Sequence, residues 1–263
     1  MKRLILVLAL CWPMILPADF QDGVDAANRG DYSKAYREFW PLAALLGVAK
    51  AQNNLGAMYQ YGQGVKQDYA EAVRWYRLAA EQGNTKAQYN LGVIYRNGQG
   101  VSQDYAEAVR WYRHAAKQGD AEAQYNLGVI YRNGQGVSQD YAEAVRWYRH
   151  AAEQGEVRAQ NNLGVMYQKG KGMPQDYAEA VKWYRLAAEQ GEVKAQYNLG
   201  LMYGNGRGAP RDYVQAYAWT NLAASQGNKN AEKFRATIER GMTSAQFAEA
   251  QMLSRELFEL LKK

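Results

Sequence analysis

The chain has 263 residues, of which 48% are hydrophobic and 22% are charged, so it has enough apolar material for a packed core and is not a disordered chain. A mean hydropathy of −0.57 excludes a protein that crosses a membrane many times. The net charge of +6 permits an anionic partner without requiring one. The counts of 25 Gly, 21 Tyr and 7 Trp against 5 Pro favour glycines at fixed structural positions over a flexible linker.

The first residues are similar to an export signal. Lys2 and Arg3 precede an unbroken apolar run over residues 4–10, and Ala18 ends a stretch suited to cleavage. The run is shorter than an ordinary transmembrane helix. We therefore expect a signal peptide over residues 1–18 and a periplasmic or secreted protein, with no stable membrane insertion after its removal. An uncleaved or lipidated anchor and a cytosolic location are the alternatives.

Cys11 is the single cysteine, and it lies in the predicted signal segment. A chain without that segment would hold no cysteine. Disulfides, thiol nucleophiles and thiolate metal sites would then all be excluded.

A repeat of 36 residues dominates the rest of the sequence. The pair Leu55-Gly56 recurs four more times at that step, and so do Trp75 and Gly83. Four glycine positions in five copies account for 20 of the 25 glycines. A single short unit is too small to bury its own apolar face, so the repeat predicts stacked units that form an α-solenoid.

Each copy contains the pattern of two helices, and the second copy illustrates the first of them. The apolar residues Ala87, Leu91 and Ile94 share one helical face. This helix is predicted to end near Gly98, because glycine tolerates the positive φ that commonly terminates a helix.

The second helix of the copy begins with a capping pattern. Asp104 with Glu107 three residues later is typical of a capping box, and Gly119 marks the end of the helix. Its apolar stripe is wide enough to pack on both neighbouring helices. The stripe consists of Ala108, Trp111, Tyr112, Ala115 and Ala116.

Both ends of the array carry segments suited to sealing it. Five repeats are predicted over residues 48–227. Residues 19–47 before them have the pattern of a divergent helical pair, and residues 228–263 after them have the pattern of capping helices. Thr243 with Gln246 suggests a second capping box. One side of the following helix is apolar, which favours an end cap over a membrane-binding helix. That side carries Phe247, Ala250, Leu253, Leu257 and Leu260.

The repeat resembles the Sel-one-like repeat family, a branch of the tetratricopeptide-type solenoids. The matching pattern is A-x-A-Q-Y-N-L-G-x-x-Y-x-x-G-x-G-V, followed by D-Y-x-x-A-V-x-W-Y-x-x-A-A-x-Q-G, over roughly residues 48–227. The resemblance implies an all-α, right-handed superhelical solenoid of antiparallel helix pairs. It also implies an adaptor or scaffold for other proteins rather than an enzyme. One branch of the family is linked to β-lactam chemistry, but its repeats carry cysteine pairs that this sequence lacks.

The sequence shows no pattern typical of an active site. His114 and His150 occupy the same repeat position, where other copies carry Leu78, Leu186 and Leu222. Their interchange with leucine favours a repeat variant over a catalytic base or a metal ligand. We expect no catalytic residue, no metal and no cofactor. Charged pairs such as Glu107 with Arg110 and Arg77 with Glu81 are predicted to lie on the solvated surface.

The first helix of every copy carries an asparagine, for example Asn90 and Asn126. Asparagine is an indifferent helix former. A ladder in which the amides satisfy backbone groups of a loop or neighbour is one interpretation. A row of amides that holds an extended peptide by its main chain is the other.

The stripe opposite the buried face of each first helix is the candidate binding surface. A solenoid tends to turn this side toward its concave surface, and the positions vary between copies. Tyr and Arg beside small apolar residues are typical of interface hot spots. Tyrosines that merely cover an adjacent helix are the alternative. The stripe comprises Tyr89, Val93, Arg96, Tyr125, Val129, Arg132, Gln168 and Tyr197, with Asn90 and Asn126 beside it.

Together these features predict an exported, non-enzymatic scaffold that binds a protein or peptide in a concave groove. A cell-wall or β-lactam-related enzyme and a surface or secreted factor that contacts host cells are the alternatives. Nucleic acid is not expected as a partner, because the recurring basic residues alternate with glutamates. The oligomeric state stays open.

Overall fold

The computed structural model describes residues 19–261, which form helices joined by short turns, with no strand among them. The fold class is the one that the repeat predicts, an all-α solenoid of helix pairs. The predicted signal peptide lies outside the described residues. The helices are α1 (Phe20–Asn28), α2 (Tyr32–Ala44), α3 (Ala49–Tyr61), α4 (Tyr69–Glu81), α5 (Thr85–Asn97), α6 (Tyr105–Lys117), α7 (Ala121–Asn133), α8 (Tyr141–Glu153), α9 (Val157–Lys169), α10 (Tyr177–Ala188), α11 (Val193–Asn205), α12 (Tyr213–Ser225), α13 (Lys229–Glu239) and α14 (Ser244–Leu261).

The chain divides into two compact units. The first unit ends at Gln118 and includes α1 to α6, and the second begins at Gly119 and includes α7 to α14. Within each unit, helices that follow one another in the sequence pack against each other up to α12, and α13 and α14 both pack against α12. No helix of residues 19–261 combines the length and apolarity needed to span a membrane.

Helix α6 begins at the predicted N-cap, but only half of the capping box forms. Asp104 Oδ1 accepts hydrogen bonds from the backbone N–H groups of Ala106 at 2.8 Å and Glu107 at 3.0 Å. The N–H of Asp104 donates to the Tyr95 carbonyl at 2.9 Å instead of to Glu107. The Glu107 carboxylate faces Arg110 at 3.1 Å. The loop folds back on α5, which satisfies the N–H that the glutamate would otherwise bind.

The loop glycines have two separate reasons to be glycine. Gly98 follows the last residue of α5 with φ 69°, as the helix-end pattern predicts. Gly100 has φ 70°, and a Cβ built on it would lie 2.6 Å from the backbone carbon of Tyr69. The second glycine therefore allows the loop to approach the start of α4 closely.

The core follows the predicted stripes. Trp111 is 6% exposed and Tyr112 is fully buried, and the three alanines of the α6 stripe are equally enclosed. Gly92 lies under the Tyr112 ring, because a Cβ built there would be 2.6 Å from the ring carbons. Glycine in the first helix therefore makes room for a tyrosine ring of the second helix. Gly56, Gly128 and Gly164 face their own repeat tyrosines in the same way.

Helices outside the repeats pack at both ends of the described chain. In the first unit, the Phe20 ring lies 5.6 Å from that of Phe39 on α2. In the second, the Phe247 ring packs edge-on against Tyr217 at 5.3 Å, and Ala250 is fully buried. Leu260, by contrast, is 60% exposed and contributes little to the contact.

The predicted capping box before α14 is complete. The N–H of Thr243 donates to Gln246 Oε1 at 3.0 Å, and the N–H of Gln246 donates to the threonine hydroxyl at 3.2 Å. Phe247 and Ala250 then pack α14 against α12, and its role as an end cap stays a prediction.

Candidate peptide-binding groove

The predicted binding stripe lies on the first helices of the repeats, but it is packed rather than open. Its members on α5, α7, α9 and α11 are half-buried, except Asn126 on α7, which is buried. The half-buried residues are Tyr89, Asn90, Val93, Arg96, Tyr125, Val129, Arg132, Gln168 and Tyr197.

Two tyrosines of the stripe pack against the second helix of their own repeat. The Tyr89 ring lies 5.9 Å from that of Tyr112, and the Tyr125 ring lies 6.0 Å from that of Tyr148. The Arg158 guanidinium also lies 4.4 Å from the centre of the Tyr125 ring. The stripe predicts outward-facing tyrosines, but these rings take part in packing between helices.

Gln168 supports a buried tyrosine. It accepts a hydrogen bond from the Tyr184 hydroxyl at 2.6 Å, as Gln60 does from Tyr76 at 2.7 Å in the first unit. Burial raises the pKa of both tyrosines above the ordinary value of 10.0. The hydroxyls therefore stay protonated and act as donors at neutral pH.

The asparagines of the first helices form hydrogen bonds that differ from the predicted ladder. Asn90 Nδ2 donates to Asn53 Oδ1 of the preceding repeat at 3.3 Å. In the second unit Asn198 donates to Asn161 at 3.1 Å, whereas Asn126 donates to the Glu122 carbonyl of its own helix at 2.9 Å. Asn90 and Asn198 thus link neighbouring repeats through side chains, and not through the backbone groups that the ladder predicts.

A second ladder of glutamines was not predicted. Gln52 Nε2 donates to the Ala43 carbonyl at 3.2 Å, and its own oxygen accepts from Gln82 at 2.7 Å. Each bond of the ladder joins a buried glutamine of a first helix to a glutamine that follows the second helix, 30 residues later. The same bond joins Gln88 to Gln118, Gln124 to Gln154, Gln160 to Gln190 and Gln196 to Gln226.

The exposed face of the second helices holds the predicted ion pairs with one exception. Arg74 and Arg110 contact Glu71 and Glu107 at 3.0 Å and 3.1 Å. The expected pair between Arg77 and Glu81 is wrong, because Arg77 donates to the Tyr95 hydroxyl of the next repeat. In the second unit Arg149 donates to Tyr167 at 2.9 Å in the same way. These arginines therefore connect repeats and are not free surface charges.

A groove of about 690 Å³ opens in the first unit, between α1 and the first helices α3 and α5. It opens there because the first copy carries Asn53 and Ala57 where the second carries the larger Tyr89 and Val93. The lining residues are Phe20, Val24, Ala27, Asn28, Tyr32, Phe39, Lys50, Asn53, Asn54, Ala57, Met58, Gln63, Asn84, Thr85 and Lys86.

The groove combines an apolar side with polar and cationic groups. Phe20 and Val24 of α1 contribute apolar surface, and Lys50 and Lys86 are exposed lysines of two successive repeats. No acidic residue is among the described residues that line it. Asn53 lines the groove and is the first copy's counterpart of Tyr89. The tyrosines and arginines that the sequence favours as binding residues do not line it.

The two histidines lie outside the groove. His114 and His150 are exposed and lie beside Trp111 and Trp147, with ring centres 5.8 Å and 6.0 Å apart. Residues 19–261 contain no cluster of three or more His, Cys, Asp or Glu side chains that could hold a metal ion.

The sequence model of the Sel1 repeat matches five consecutive segments of 36 residues, 49–84, 85–120, 121–156, 157–192 and 193–228. The chain belongs to the Sel1 repeat family. The five matches begin at the first residue of α3 and cover the helix pairs α3 to α12. A search of the curated proteins finds no match to this Sel1 repeat chain.

Two solved structures are similar to this Sel1 repeat protein over 92% of its length. A Sel1 repeat protein from Oxalobacter formigenes is 35% identical, with a TM-score of 0.74, and the match covers 95% of that chain. A protective antigen of uropathogenic Escherichia coli that displays an SLR fold is 38% identical, with a TM-score of 0.82. The match covers 54% of that antigen, so this chain spans about half of its length.

Proposed function

We propose that this Sel1 repeat protein is a scaffold that binds a peptide segment of another protein in the groove of the first unit. The groove itself is the observation that carries the proposal. It is a concave site of a size typical for ligands, with apolar surface on one side and amide and ammonium groups on the other. Helices position its lining on both sides, which suits a preformed binding site.

The stripe on α7 is a second contact surface in this proposal. Tyr125, Val129 and Arg132 are half-buried, so each keeps part of its surface for a partner. Aromatic and arginine side chains supply much of the affinity at many interfaces. Gln168 and Tyr197 extend the same stripe along α9 and α11, and Asn126 is buried beneath it.

Binding rather than catalysis is the proposed activity. His114 and His150 are exposed and lie at a position that leucine occupies in other copies, which does not suit a catalytic base. The β-lactam-related alternative has a direct test, because the purified chain should not hydrolyse nitrocefin faster than buffer does. Nitrocefin hydrolysis at a rate that rises with protein concentration would favour an enzyme over a scaffold.

Export is the proposed route of this scaffold to its place of action. Lys2, Arg3 and the apolar run over residues 4–10 support it. The similarity to a protective antigen of Escherichia coli is in keeping with a protein outside the cytoplasm. A surface or secreted role in contact with host cells is compatible with the same proposal.

A variant that fills the groove tests the proposed function. Asn53→Tyr with Ala57→Val gives the first copy the residues that the second carries at the same positions, as Tyr89 and Val93. We expect partner capture from periplasmic extract or medium to fall at least about tenfold, the range of a lost hot spot. Helical circular dichroism should stay unchanged, because the second copy packs these residues over an equivalent tyrosine.

The matched control is Arg110→Ala with Arg146→Ala, which removes two exposed arginines from the second helices. This control should capture the same partner as the unmodified chain. Equal capture by the groove-filling variant and the unmodified chain would place the binding surface elsewhere. Loss of capture in the control alone would point to the exposed face of the second helices.

A further inference from the structure

The groove carries two lysines of successive repeats, at a position where the later copies have Glu122, Arg158 and Lys194. Lys50 and Lys86 occupy the same repeat position one repeat apart, and both line the groove. Neither forms an ion pair within the part of the chain that the structure describes. In the second unit, Arg158 at this position pairs with Glu156 at 2.6 Å. The first unit therefore presents two uncompensated positive charges at one concave site.

The surroundings of the two lysines are apolar or neutral. Phe20, Val24 and Met58 supply apolar surface, and Asn54 and Thr85 supply polar groups without charge. A concave site lined by one sign of charge concentrates the potential and favours a ligand of the opposite sign. The apolar side also favours a ligand that carries a bulky apolar group, because burial of that group removes apolar area from water.

We propose that the groove selects peptides in which an acidic residue lies close in sequence to a bulky apolar residue. This specificity rests on the proposed peptide-binding function. The carboxylate binds the ammonium groups of Lys50 and Lys86, and Asn53 and Asn54 provide hydrogen bonds to the peptide. The apolar side chain lies against Phe20 and Val24. A peptide is favoured over a phosphate ligand, because a phosphate would leave the apolar side of the groove unfilled.

A displayed library of random heptapeptides, selected on the immobilised full chain, tests this specificity. The selected peptides should contain Asp or Glu within two residues of an apolar residue such as Phe, Leu or Ile. One such peptide is then synthesised in two forms. The first keeps its acidic residue, and the second carries the corresponding amide, Asn in place of Asp or Gln in place of Glu. We expect the amide form to bind the full chain about tenfold more weakly, as expected for loss of a charge pair at an interface.

The protein variant Lys50→Gln with Lys86→Gln completes the comparison. It should bind the acidic peptide as weakly as the amide form, and it should no longer distinguish the two peptides. Lys117→Gln with Lys194→Gln removes the same number of charges away from the groove, and should keep the full difference between the peptides. Lys194 is the counterpart of Lys50 in the fifth repeat.

The outcomes separate this specificity from the proposed function. Selected peptides without acids that bind the full chain, but not the variant Asn53→Tyr with Ala57→Val, would overturn the acidic specificity and keep the groove. The acidic specificity would also be overturned if the change from acid to amide weakened peptide binding equally for the full chain and for the variant Lys50→Gln with Lys86→Gln. Selected peptides that bind the groove-filling variant as tightly as the full chain would overturn the groove itself.

Discussion

Replacement of Trp111 by alanine should lower the free energy of unfolding by about 3–5 kcal/mol, the range for loss of a buried tryptophan ring. The Trp111 side chain is 6% exposed and belongs to an apolar cluster that joins Leu91 and Ile94 of its own repeat to the second helix of the preceding repeat. Its removal therefore leaves a cavity in this cluster. Urea unfolding followed by circular dichroism measures the change.

The neighbouring residue provides the control. The Arg110 side chain is 58% exposed, pairs with Glu107 and lies with its guanidinium 4.9 Å from the centre of the Trp111 ring. Because the pair is solvated, Arg110→Ala should lower the free energy of unfolding by less than about 0.5 kcal/mol. Similar losses for the two variants would show that the buried and exposed faces of α6 are assigned wrongly.

Replacement of Gly172 by alanine should be the second large destabilisation. Gly172 has φ 76°, and a Cβ built on it would lie 2.3 Å from the Tyr141 carbonyl oxygen. An alanine with left-handed backbone dihedrals costs about 1–2 kcal/mol. Overpacking of its Cβ against backbone atoms typically costs about 1–3 kcal/mol more. The decrease in the free energy of unfolding should therefore lie near 2–5 kcal/mol, a sum of those two ranges.

Gly191 separates the two contributions within the same repeat. It has φ 89°, but no atom lies within 4 Å of a Cβ built on it. Gly191→Ala should therefore lower the free energy of unfolding by only the left-handed cost of about 1–2 kcal/mol. If both alanine variants unfold at the same urea concentration, the close approach of the loop to the start of α8 contributes nothing to stability.

The repeat made most of the fold predictable from the sequence. Gly98 and Asp104 mark the end of α5 and the start of α6 where the pattern places them. Leu91 and Trp111 are buried as their helical faces predict. These features depend on local backbone preferences and on periodicity, and both can be read from a single chain.

The groove depended on information that periodicity does not contain. It needs α1, whose sequence departs from the repeat, to lie across the groove from α3. It also needs small residues at two positions, Asn53 and Ala57, whose counterparts Tyr89 and Val93 are larger. The sequence directs attention to Tyr and Arg because these residues are common hot spots. In the structure, however, the Tyr89 ring is engaged with Tyr112.

The glutamine ladder has a signal in the sequence. Gln52 and Gln82 recur in every copy, as the asparagine does. A glutamine in a helix gives no local indication of burial, because it is usually exposed. Its partner lies 30 residues away, beyond the intervening helix, and is found only when the helices are packed.

Peptide binding in the groove of the first unit has its most direct test in site-specific photo-cross-linking. A photoreactive phenylalanine analogue replaces Asn28, which lines the groove at the end of α1, or Arg110 on the exposed face of α6. Each protein is irradiated with a peptide from the library selection, and the products are separated by mass. We expect a covalent product from position 28 that excess unlabelled peptide suppresses, and none from position 110. A product from position 110 alone would contradict binding in the groove.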